Sequence, residues 1–176
     1  ANATQRATVT AKRGTDGVTN IGLVHGLLWL TIERMFSPSQ QDVRRFFCQV
    51  YAKQLQGPLV DPLETLAAEW IDRHPEYHLA LQNEEAALSA KFDDSTGNPF
   101  LHLSMHLSIS EQCSIDQPRG IRQAVELLAA RRPDLHAAHH EVMECLGTML
   151  WESQRSGRPP DGQAYIDAVQ RQATKD

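Results

Sequence analysis

Two stretches of the chain place imidazoles one helical turn apart. His102-x-x-x-His106 lies in the apolar run Asn98-Pro-Phe-Leu-His-Leu-Ser-Met-His-Leu-Ser-Ile. His136-x-x-x-His140-x-x-x-Glu144 lies in Leu135-His-Ala-Ala-His-His-Glu-Val-Met-Glu-Cys-Leu. Residues four apart share a helix face, so each set forms a column of side chains. Neutral imidazole and carboxylate are the usual ligands of zinc and iron, and helical bundles build such sites from side chains on facing helices. His102, His106 and His140 with Glu144 are therefore the expected ligands of one divalent metal ion, zinc or iron. His136 is a fifth ligand or an alternative. Glu144 would offset part of the cost of placing a dication in an apolar interior. The arrangement requires the two columns to face one another.

Two other readings use the same histidines. Buried imidazoles can serve as hydrogen-bonded core groups that specify packing in a non-enzymatic structural or interaction module. Stacked imidazole columns would also repel on protonation, which suits a pH-responsive helix pair. Whether the chain is an enzyme is left open; an open coordination position would allow hydrolytic or redox chemistry. His139 falls nearer the core stripe of its helix than the column, and is the weakest ligand candidate. His74 and His78 flank a proline break and read as surface residues. No organic cofactor is expected, because no phosphate loop, dinucleotide fingerprint or Gly-x-Ser-x-Gly elbow is present.

Cys48, Cys113 and Cys145 are odd in number and far apart. Each sits among helix-periodic apolar residues and reads as a small buried hydrophobe rather than a nucleophile. Without a disulfide framework, a reducing cytoplasm is the simpler setting. A net charge of −5 argues against nucleic acid as a partner, and Arg44-Arg45 and Arg131-Arg132 read as solvated helix surface. The longest apolar stretch, Ile21 to Ile32, is too short to span a bilayer. No membrane association is expected. The chain is predicted to act as a monomer or small homo-oligomer, with an unidentified protein as a further partner.

The elements that must hold the histidines are marked by helix punctuation. Ser37-Pro38-Ser39-Gln40 reads as a cap, with Ser37 at the N-cap and Gln40 closing the box. Asp61-Pro62-Leu63-Glu64 is a second capping box. His74-Pro75 breaks one helix and restarts another through Tyr77, Leu81, Ala87 and Leu88. Asp93 to Gly97 is a polar loop, and Asn98-Pro99 opens a helix to about Ser114 that is apolar almost all round and so belongs inside. Ile121 to Arg132 is amphipathic. Pro133-Asp134 starts a long helix ending at Ser156-Gly157, with Leu135, Val142, Leu146, Met149 and Leu150 as its core stripe. Asp161 begins a last short helix. No strand pair or internal repeat is evident, so the fold class is all-α: a compact bundle of about six to eight helices. Residues 1–34 are expected to form a largely disordered or loosely attached N-terminal extension, and 35–176 a single helical domain.

The stretch from Met35 to about Ala173 resembles a proteobacterial family known as domain of unknown function 1841. The matching blocks begin with Met35-Phe-Ser-Pro-Ser, Val43-Arg-Arg-Phe-Phe, Asp61-Pro-Leu-Glu-Thr-Leu-Ala-Ala-Glu-Trp-Ile and His74-Pro-Glu-Tyr-His. They continue with Asn98-Pro-Phe-Leu-His, Met105-His-Leu-Ser-Ile-Ser-Glu-Gln, Met143-Glu-Cys-Leu-Gly and Trp151-Glu-Ser-Gln-Arg-Ser-Gly-Arg-Pro-Pro-Asp. The resemblance implies a small helical cytoplasmic protein that begins at a position equivalent to Met35. It brings no activity and therefore no catalytic residues.

Overall fold

A computed structural model describes residues 39–92 and 97–175. These residues form eight α-helices and one 3-10 turn, with no strand among them. In chain order the helices are α1 (Gln40–Gln54), α2 (Pro62–Asp72), α3 (His78–Leu81), α4 (Glu84–Ser89), α5 (Pro99–Ile115), α6 (Ile121–Ala129), α7 (Leu135–Ser156) and α8 (Gly162–Thr174), with the 3-10 turn Pro75–Tyr77 between α2 and α3. The expected N-terminal extension lies outside the described residues, as do 93–96 of the expected polar loop. Among the described residues no helix is long and apolar enough to cross a membrane.

Short polar side chains start the helices by accepting orphan N–H groups of the first turn. Asn98 accepts from Phe100 and Leu101, Asp134 from Ala137, and Asp161 from Gln163 and Ala164. At α1 the cap is Ser39 rather than Ser37, because Asp42 three residues on returns the bond to the Ser39 N–H. At α2 Asp61 caps as expected, but Glu64 pairs with Lys53 of α1 instead of closing a box. The expected single helix after Pro75 is divided in three. Asn83 caps Ala86 and so restarts the chain as α4. Gly157 ends α7 at φ +65°, a left-handed conformation that suits glycine.

The core has two parts. Phe47, Val50, Ala67, Trp70, Ile71 and Leu81 pack with Phe100, Leu103 and Leu107. Ile109 opens the second part, which holds Ile121, Leu128, Val142, Leu146, Tyr165 and Val169. Helix α5 belongs to both, which is why its apolar residues circle the axis. The two serines on its polar strip, Ser104 and Ser108, are buried; Ser104 bonds the Phe100 carbonyl at 2.6 Å.

One arginine departs from the surface reading. Arg44 is buried, and its Nη1 donates to the carbonyls of Ala87, Leu88 and Ala90 at 2.9, 3.4 and 2.7 Å. It thereby satisfies the C-terminal end of α4, where carbonyls lack intrahelical partners. Its guanidinium also lies over Phe92. Arg44→Ala is expected to cost about 1.5–3 kcal/mol, the range for bonds to a charged group, read as a lower urea midpoint at unchanged slope. Arg45→Ala, at a half-buried side chain paired only with the carboxylates of Asp42 and Glu84 near the surface, should cost far less.

Candidate metal centre

The site is built outward from the end of α2. Pro75 has no N–H to continue the helix, so the last carbonyls of α2 need other donors. His74 Nδ1 lies 2.8 Å from the Trp70 carbonyl, and His78 Nε2 lies 3.0 Å from the Ile71 carbonyl. A carbonyl only accepts, so His74 Nδ1 carries its proton and Nε2 keeps its lone pair. That Nε2 lies 3.0 Å from His102 Nε2 on α5 and 3.0 Å from His136 Nε2 on α7. His74 is 1% exposed. The surface reading of His74 is therefore overturned: the imidazole that reaches back to cap its own helix is pulled inside. His78 is half-buried.

Helices α5 and α7 bring the two columns face to face. Ring centroids of His102 and His140 are 5.0 Å apart, those of His106 and His140 5.2 Å, and those of His106 and His136 5.3 Å. Trp70 closes the inner side. Its indole stacks on His106 at 4.0 Å and on His139 at 4.4 Å, and its Nε1–H donates to Ser110 Oγ at 2.8 Å. Six imidazoles and one indole thus fill the seam where α2, α5 and α7 meet. Burial is graded: His74, His106 and His139 are buried, His102 and His136 half-buried, and His140 exposed. The cluster has a dry floor and a wet mouth.

One ring nitrogen from each of His74, His102, His106 and His140 lies within 4.8 Å of the others. Nitrogens bound tetrahedrally to zinc are spaced about 3.3 Å apart, given bonds of 2.0–2.1 Å. The His74–His102 pair at 3.0 Å is already near that edge, and the widest pairs must close in. The decisive atom is His106 Nε2, which is buried and has no hydrogen-bond partner among the described residues. Leaving a buried polar atom unmatched costs about 1–3 kcal/mol, and a cation among the imidazoles would remove that cost.

The electrostatics favour unprotonated ligands. Burial first, and then the neighbouring imidazoles, push His102 down to about 4. Burial, with His136 and Arg73 behind it, pushes His139 down to about 3. Burial, followed by His139 and His102, lowers His106 strongly. His136 and His140 are lowered too, chiefly by burial, and Asp134 and Glu76 at the mouth oppose this. At neutral pH a metal therefore competes with few protons for these nitrogens.

Of the residues expected from spacing, His102, His106, His136 and His140 come together and Glu144 does not. A four-residue step overshoots one helical turn by about 40°, so Glu144 has rotated about 80° from His136. It is exposed and lines a groove of about 440 Å³ between α7 and α8, beside Thr148, Met149, Arg171 and Lys175. Trp151, further along the same helix, is 56% exposed. Sequence reasoning missed His74 as a member and undervalued His139. The signal for His74 was available, since Trp70, His74 and His78 are themselves spaced four apart. The cysteines stand away from the cluster as free thiols, and burial raises Cys48 and Cys113 to about 11, which suits structural thiols.

A family model described as Domain of unknown function (DUF1841) matches residues 39–171, so the chain belongs to that family. No curated protein and no solved structure matches it.

Proposed function

We propose that this member of the domain of unknown function 1841 family binds one divalent transition-metal ion, zinc by preference, through His74, His102, His106 and His140. His136 stands beside them as a fifth ligand or an exchange partner. The observation that carries this reading is the partnerless Nε2 of buried His106, set among three other imidazoles whose nitrogens lie within 4.8 Å. A purely structural histidine network accounts for His74, which is bonded to a carbonyl, but leaves His106 Nε2 unmatched. Zinc is favoured over iron because the converging ligands are all neutral nitrogens. Oxygen-activating iron(II) sites of the facial-triad type include a carboxylate, and Glu144 is on another face. Exposed His140 leaves the ion reachable from solvent, as Lewis-acid chemistry on an incoming ligand requires.

Elemental analysis of untagged protein purified without chelators tests the reading. One equivalent of metal is expected in the wild type and in Glu144→Ala, and almost none in His74→Ala/His106→Ala. Substoichiometric metal in the wild type, or equal metal in all three, contradicts it.

A further inference from the structure

His139 is not among the converging ligand nitrogens, yet its placement is too specific for filler. Its Nδ1 lies 3.3 Å from His106 Nδ1, with the two ring planes 19° from parallel. Both residues are fully enclosed, and Trp70 lies flat against both rings. Two facing Nδ1 atoms form a hydrogen bond only if one carries the proton and the other does not. There are two arrangements, and they leave His106 in different states.

If His139 Nδ1 holds the proton, neutral His106 must carry its own on Nε2. That places a buried N–H donor where no acceptor is available. If His106 Nδ1 holds the proton, its Nε2 is a bare lone pair, on a ring packed against those of His74, His102 and His140. In the second arrangement neutral His139 carries its proton on Nε2, which unlike His106 Nε2 is not left buried and partnerless, and His106 gains a ligand lone pair.

We propose that His139 is a positioning residue: it accepts the His106 Nδ1–H and so fixes the tautomer in which His106 Nε2 is a metal ligand. This rests on the metal-binding reading for its purpose, but the tautomer exists without metal. His74 is held in the same tautomer by the Trp70 carbonyl, so the two buried ligands at the floor are each oriented through Nδ1. This is the arrangement in which a ligating histidine is fixed by its other nitrogen. Trp70 covers the His106–His139 bond and excludes the water that would compete for it.

The first test is a two-bond proton–nitrogen correlation spectrum of metal-free protein labelled with 15N-histidine, with His106 assigned by its absence in His106→Gln. The expected pattern is protonated Nδ1 and bare Nε2. A protonated Nε2 overturns the inference without touching the question of whether metal binds. The second test compares zinc affinities of two variants. His139→Phe keeps a flat ring against Trp70 but removes the acceptor, and should weaken binding by about 10–100-fold. His139→Asn places a carbonyl oxygen near the former Nδ1 and should recover most of that loss. Equal affinity of wild type and His139→Phe overturns the inference, as does equal loss in both variants when both fold. Absence of zinc binding in the wild type contradicts the metal reading instead.

Discussion

Replacing His74 with alanine is expected to weaken zinc binding by at least about 100-fold, since losing a ligand should cost no less than losing an orienting partner. His74 is the hub of the cluster. Its Nε2 is the atom to which both His102 on α5 and His136 on α7 come within 3.0 Å. Its Nδ1–H is held by the Trp70 carbonyl at 2.8 Å, so the lone pair is aimed before any ion arrives. Ring orientation is thus settled during folding rather than on binding, and little side-chain entropy is left to lose. Exposed His140 lacks that advantage, and His140→Ala should cost less than His74→Ala. Competition with a chromophoric chelator at pH 7.5 measures both. A smaller effect of His74→Ala than of His140→Ala would place the centre of the site nearer the mouth than the geometry does.

The second large effect is on the metal-free protein. In an unfolded chain these histidines titrate near pH 6.5, whereas in the fold His102 is pushed down to about 4 and His139 to about 3. Between pH 6.5 and about 4 the unfolded state therefore binds more protons than the native state. Their contribution to stability is intact above pH 6.5 and is lost as pH falls through that window, reaching down to about 3 for His139. Each such group adds a slope of at most about 1.4 kcal/mol per pH unit. Burial is the leading cause in each case, so the effect persists in salt. Urea unfolding in the presence of a chelator, from pH 8 to pH 4.5, should show the midpoint falling steeply below pH 6.5. Added zinc should hold it up until the ligands protonate. A flat midpoint from pH 7 to pH 5 contradicts the enclosed, neutral cluster.

The helices and the two columns were legible because their determinants are local. A cap such as Asn98 or Asp161 acts on N–H groups two or three residues away, and a His-x-x-x-His pair shares a face by helical geometry alone. Errors arose where distance along the chain hides the partner. Arg44 reads like its half-buried neighbour Arg45 until α4, more than forty residues on, presents its carbonyls. His74 reads as surface because proline follows it, yet its ring partners are His102 and His136, 28 and 62 residues away. His139 sits one residue off its column, and that offset aims it at Trp70 and His106 in the seam. Glu144 shows the opposite failure. Spacing by four was extrapolated over two steps, and the accumulated rotation carried it to the groove facing α8.

X-ray absorption at the zinc edge of the loaded protein reads the coordination shell itself. The expected first shell is nitrogen or oxygen alone at about 2.0–2.1 Å, with the outer-shell scattering of several imidazoles and loss of that signal in His74→Ala/His106→Ala. A sulfur shell at about 2.3 Å, or a spectrum with no imidazole scattering, would contradict it.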